Sequence, residues 1–170
     1  MSLTQITILF ISATGVNSIA VYAQRRYKLY TRWFGRYDWA AHVVLLSVVW
    51  AVFLFAIFFQ NQLPVWRMPS ILRPLGIIVL VLGIFLVVST WKRLGTEGTT
   101  NGWFFGRGPL KQLIGGVFRI HDPMYVGFIL LFVGAGFWLE NAAYLWLAAT
   151  SYLLLNIILS YIERPTIRHV

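Results

Sequence analysis

Five long apolar stretches, near 4–23, 39–59, 72–91, 124–139 and 142–162, leave this 170-residue chain few places to put polar groups. Each is close to the roughly 20 residues that an α-helix needs to cross the hydrocarbon core of a bilayer. In lipid a backbone must satisfy its own N–H and C=O groups, and a helix does so within one segment. With 59% hydrophobic and only 11% charged residues, a water-soluble fold would expose more apolar surface than water tolerates. The expected fold class is therefore all-α integral membrane: one domain over 1–170, about five transmembrane helices, and a glycine-rich motif loop over 92–123. The first stretch carries Gln5, Ser12, Thr14, Asn17 and Ser18, so it is expected either to pack inside the bundle or to lie partly in the interface. It lacks the basic start and small-residue cleavage site of a secretory signal, so it is expected to be retained.

Charge gives the expected orientation. Arg25, Arg26, Lys28, Arg32 and Arg36 follow the first stretch; Lys92, Arg93, Arg107, Lys111 and Arg119 follow the third; Arg164 and Arg168 lie in the tail. Arg67 and Arg73 lie in the connections on the other side. By the positive-inside rule the richer side faces the cytosol. The formal net charge of +9 is thus read as topology and attraction to anionic headgroups, not as a nucleic-acid footprint. The absence of cysteine excludes disulfides, thiolate metal sites and cysteine nucleophiles. No convincing metal-ligand cluster is present in the sequence, and no metal is expected. The residues leave the oligomeric state open.

Chemistry concentrates in three stretches on the basic side: Leu94-Gly95-Thr96-Glu97-Gly98-Thr99-Thr100-Asn101-Gly102-Trp103-Phe104-Phe105-Gly106, then His121-Asp122-Pro123-Met124-Tyr125-Val126-Gly127, then Glu163-Arg164-Pro165. Glycines let a backbone approach a polar ligand closely, so the first stretch is either a cofactor-wrapping loop or a flexible loop with an aromatic interfacial anchor. Asp122 and Pro123 suit the cap and first position of a helix, and a helix N-terminus also favours a bound anionic group. His121 and Tyr125 read either as ligand contacts or as interfacial residues. Glu163 closes a long apolar helix near the negative end of its dipole and calls for a cationic partner, either a neighbouring arginine or a cationic cosubstrate. Gly76 and Gly83, like Gly127 and Gly134, are spaced for close helix packing or for a slot in the bundle. The short connection at Asn141 makes the last two helices an antiparallel hairpin, which is expected to bring His121, Asp122, Tyr125 and Glu163 together.

Taken in order, Leu94-Gly95-x-x-Gly98-Thr99-x-x-Gly102-x-x-Phe105-Gly106, Asp122-Pro123-Met124-Tyr125-Val126-Gly127 and the terminal Glu163 resemble the phosphatidylethanolamine/phospholipid N-methyltransferase family over about the C-terminal 100 residues. The resemblance implies a membrane enzyme that moves methyl groups from S-adenosylmethionine to the ethanolamine nitrogen of a phospholipid, toward phosphatidylcholine. In animal members the cofactor is assigned to a Gly-x-Gly in the preceding helix and a Glu-Glu pair at the last helix end. Those positions correspond here to Val81-Leu82-Gly83, which keeps the second glycine, and to Glu163-Arg164, which keeps the first acid. The related isoprenylcysteine carboxyl methyltransferases are similar in architecture and carry an Arg-His-Pro motif from which His121-Asp122-Pro123 is shifted by one place.

The resemblance implies cofactor contacts at Leu82, Gly83, Gly95, Gly98, Gly102, Glu163 and Arg164. Methyl transfer requires an unprotonated amine in line with the methyl group; Asp122 or His121 is the expected proton acceptor, with Glu163 as a further candidate and Tyr125 beside them. Arg93 and Arg119 are expected at the lipid phosphate, and Trp103 and Phe105 at the quaternary ammonium product. The alternatives are a membrane methyltransferase with another acceptor, such as a prenylcysteine carboxylate, and a non-catalytic lipid-binding protein. The host membrane is expected to be a bacterial inner membrane or the endoplasmic reticulum.

Overall fold

A computed structural model describes residues 2–58, 64–100, 102–107 and 123–158. They form six helices, α1 (Leu3–Tyr27), α2 (Leu29–Phe34), α3 (Asp38–Phe58), α4 (Arg73–Thr99), α5 (Pro123–Trp138) and α6 (Ala143–Ile158), with short 3₁₀ turns at Gly35–Tyr37, Ser70–Leu72 and Gly102–Phe105. Among the described residues there is no strand, only an isolated bridge between Arg67 and Asn141. The spans Leu3–Tyr27, Leu29–Ile57 and Ser70–Thr99 are long and apolar enough to cross a membrane, and two shorter apolar helices accompany them. Large side chains such as Ile19, Val44, Val81 and Leu153 are exposed all around these helices, as expected where lipid and not water is the solvent. The chain is an all-α membrane protein.

The polar first stretch forms a continuous helix because its hydroxyls are satisfied locally. Thr7, Thr14 and Ser18 each donate to the carbonyl four residues back, at 2.8, 2.9 and 2.9 Å. A capping box opens the helix, with Ser2 Oγ accepting from Gln5 N and Gln5 Oε1 accepting from Ser2 N. Ile6, Phe10, Ala13, Ala20 and Val21 face inward, and Phe10 meets Trp50, Phe53 and Phe132 in the core. Apolar sequence fades near Ala23, yet α1 runs to Tyr27 because Arg25 and Arg26 suit a helix C-terminus. Lys28 then ends it in the left-handed region, φ 49°.

Helices α4 and α5 pack backbone against backbone. A Cβ on Gly76 would lie 2.5 Å from Trp138 N and 2.9 Å from Gly134 O, and one on Gly134 would lie 2.6 Å from Leu80 N. Gly83 and Gly127 form a second such contact, each within about 3 Å of the other's carbonyl if given a side chain. The four glycines thus make one helix seam, and the slot they leave is filled by the partner helix.

At the far end of the seam, α5 and α6 form the tight hairpin that Asn141 implies. Asn141 Oδ1 accepts from Ala143 N and from Trp66 N, each at 3.1 Å, while Ala142 N donates to Trp66 O and Met68 N to Glu140 O. One amide side chain therefore caps the start of α6 and holds the α3–α4 connection against the turn.

Candidate functional site at the glycine segment

The glycine segment lies at the opposite end of α4 and is more ordered than an open loop. The helix continues past Lys92 and Arg93, breaks at Gly95 (φ 73°, ψ 175°) and resumes to Thr99. That backbone conformation is essentially reserved for glycine. Gly98 lets the following turn fold over Leu94, since a Cβ there would lie 2.8 Å from Leu94 Cβ. Gly102 returns onto Glu97, whose carbonyl would be 2.7 Å from an added Cβ. Thr99 Oγ1 bonds Gly95 O and Thr96 O, and Thr100 Oγ1 bonds Thr96 O at 2.7 Å. Among the described residues a Cβ built on Gly95 meets nothing within 4 Å, so they leave this positive-φ backbone open to close approach by a polar ligand.

The N-terminal helices grip the segment. Arg107 pairs with Asp38 at 3.2 Å and donates to Arg36 O at 2.7 Å. Asp38 also accepts from Thr31 Oγ1 and Trp39 N, both at 2.7 Å, and Gln24 Nε2 donates to Thr31 Oγ1. Trp39 Nε1 donates to Thr100 Oγ1 at 3.0 Å. Beside this chain of polar contacts the Phe105 ring is buried, 5.1 Å from the His42 ring and 5.9 Å from Tyr30.

The structure brings Gly95, Gly98, Gly102 and Phe105 together at the C-terminal end of α4, with Arg93 on the exposed surface just before them. Trp103 lies in the same 3₁₀ turn. Two placements differ from the simple expectation. Gly83 lies 12 residues before Gly95, about 18 Å along the helix, and its side-chain position is taken by α5; Leu82 beside it is exposed, as are Val81 and Ile84, and lies as far from the glycine segment. Phe105 offers no open face for a product cation, because His42 and Tyr30 pack against it. Tyr125 is half-buried in the first turn of α5. Arg119, His121, Asp122, Glu163 and Arg164 lie outside the described residues.

The family model described as phospholipid methyltransferase matches residues 72–170. This chain belongs to that family. Its match begins at the start of α4 and contains the glycine seam, the glycine segment and the α5–α6 hairpin. No curated protein and no solved structure matches the chain. The family makes the protein a membrane methyltransferase, and the matched region is the half that carries all three motifs. Helices α1 to α3 lie outside the matched region, yet they supply Asp38, Trp39 and His42 to the methyltransferase segment. Sequence reading missed these three residues along with Gln24, Thr31 and Thr90. The one available signal was Asp38, an isolated acid placed immediately after a strongly basic segment.

Proposed function

We propose that the protein transfers methyl groups from S-adenosylmethionine to the amino nitrogen of phosphatidylethanolamine, or of its mono- and dimethylated forms, toward phosphatidylcholine. The family match over the motif-bearing half carries this reading, and the apolar helices place the enzyme in the same phase as a lipid acceptor. Physical fit supports the cofactor at the glycine segment, where no described side chain covers the Gly95 backbone. When bound, S-adenosylmethionine supplies an electrophilic methyl group on a sulfonium.

In this reading the backbone of Gly95, Gly98 and Gly102 lies along the polar cofactor. Glu163, with Arg164 beside it, offers a carboxylate to the amino or sulfonium charge. Asp122 or His121 accepts the proton released by the headgroup ammonium, with Tyr125 orienting the nitrogen, because only the free amine has a lone pair for attack. Arg93 and Arg119 hold the lipid phosphate. Trp103 and Tyr125 present aromatic faces to the methylated ammonium. The basic ends face the cytosol, so the soluble donor arrives from that side while the lipid arrives laterally.

The test is incubation of the protein, in bilayers containing phosphatidylethanolamine, with methyl-labelled S-adenosylmethionine, followed by chromatographic separation of the lipids. Label in mono-, di- or trimethylated headgroups is expected. Donor binding without labelled lipid would overturn the choice of acceptor, and absence of donor binding would overturn the cofactor.

A further inference from the structure

His42 is 1% exposed, and neither of its ring nitrogens has a hydrogen-bond partner among the described residues. Asn17 Oδ1, on the neighbouring α1, is likewise buried and unpartnered. Both residues line one cleft between α1 and α3, of about 170 Å³ counted to its open mouth. Its other walls are apolar, including Ala13, Leu46 and Val49, and its rim residues Val16 and Leu45 are exposed. Unpaired buried polar atoms are costly, more so in a membrane interior where water does not relieve them. Elsewhere in α1 the hydroxyls of Thr7, Thr14 and Ser18 are satisfied within the helix. The cleft therefore stands out as two unsatisfied groups lining a space with room for about one water-sized group, the size of an ammonium.

We infer that this cleft is an amine subsite for the headgroup of a phospholipid that still bears N–H groups. Asn17 Oδ1 supplies one acceptor, and a neutral imidazole supplies one more. The mouth opens between two membrane-crossing helices, so the ligand arrives from the lipid phase and not from water. His42 lies one helical turn from Asp38, about 6 Å along α3, which puts the subsite just beneath the basic face. Its ring packs on Phe105, which joins the cleft to the glycine segment. The inference rests on the proposed N-methylation and adds a basis for choosing the acceptor. A primary or monomethylated ammonium has enough N–H groups for both acceptors, and a dimethylated one can serve only one. A trimethylated headgroup serves neither and leaves both buried atoms unpaired, so the finished product is rejected.

The test is native mass spectrometry of the full protein with phosphatidylethanolamine, its mono- and dimethylated forms and phosphatidylcholine of matched chains. Wild type is expected to bind the first two at least 10-fold better than phosphatidylcholine, with the dimethylated lipid between. His42→Leu and Asn17→Leu are expected to bring these ratios within about 2-fold. Thermal unfolding should show His42→Leu as stable as wild type or more so, because it removes an unpaired polar group; a merely structural histidine would lose stability and leave lipid selectivity unchanged. Unaltered selectivity in both variants, or displacement of the lipid by soluble phosphoethanolamine, would overturn the subsite. The two readings fail separately. Lipid selection without methyl transfer removes the proposed reaction and keeps the subsite, and methyl transfer with selectivity intact in both variants does the reverse.

Discussion

Replacing Gly76 or Gly134 by alanine puts a methyl group where the structure has only backbone. The new Cβ on Gly76 lies 2.5 Å from Trp138 N, and that on Gly134 lies 2.6 Å from Leu80 N. Ordinary carbon contacts need about 3.5 Å or more, so the α4–α5 seam must open by about 1 Å at either site. The obstacle is main chain, which has no rotamer into which to retreat. Overpacking of this kind costs about 1–3 kcal/mol, set against a helix-propensity gain of about 0.5–1 kcal/mol from replacing glycine. Gly15→Ala on α1 isolates the second term, because a Cβ there meets nothing within 4 Å. In mixed micelles titrated with a denaturing detergent and followed by circular dichroism, Gly76→Ala and Gly134→Ala should unfold well before wild type, while Gly15→Ala unfolds with it or later. A Cβ added at Gly76 or at Gly134 would also lie 2.9 Å from the other's carbonyl oxygen. The double variant should therefore lose less than the two single losses combined, since the first opening makes room for the second methyl. If either seam variant is as stable as Gly15→Ala, the two backbones are not in contact and the glycine seam is wrong.

Other perturbations reach the two ends of the bundle. Asp38→Ala leaves Arg107 and Thr31 without their shared acceptor and is expected to lower stability by about 1–3 kcal/mol; Arg107→Ala should cost less, because Asp38 keeps Thr31 and Trp39 N, and detergent denaturation compares them. Asn141→Ala removes a helix cap worth about 0.5–2 kcal/mol and a bond to Trp66 N, and faster protease cleavage in the α3–α4 connection should report it. Gly95→Ala strains a backbone position that costs a non-glycine residue about 1–3 kcal/mol, and calorimetric titration should show weaker S-adenosylmethionine binding by about 10-fold or more. The cysteine-free sequence allows single-cysteine topology mapping: Arg107→Cys should react with an impermeant thiol reagent from the cytosolic side and Arg67→Cys from the opposite side. Labelling of both from one side would reject the proposed orientation.

The fold was legible where sequence and solvent give the same instruction. Uniform apolar runs demand helices in lipid, and the glycine spacing of α4 and α5 offered close packing or a slot, of which the structure shows the close seam. Helix ends were less legible because hydropathy reports the end of the lipid phase and not of the helix. Thus α1 continues through Arg25 and Arg26, and α4 through Lys92 and Arg93, since charged side chains leave the backbone bonds intact. The glycine segment was legible as a special backbone through Gly95, Gly98 and Gly102. Its grip by Asp38, Trp39 and His42 was not, because each partner is about 60 or more residues away and no periodicity within one helix encodes such a pairing.

Polar groups inside a membrane protein divide into those the fold satisfies and those it leaves for something else. Thr7, Thr14, Ser18, Thr150 and Ser151 bond to carbonyls of their own helices. Among the described residues, buried side-chain atoms without a partner occur on Asn17, His42 and Thr90. Thr90 lies about 7.5 Å before Gly95 along α4, His42 about 6 Å from Asp38, and Asn17 about 15 Å from Tyr27. All three belong to the half of the bundle that ends at the basic face and the glycine segment. Simple packing gives no reason for this bias, since an apolar residue of similar size would be cheaper at each position. A site that must desolvate and orient a headgroup beneath that face does give one.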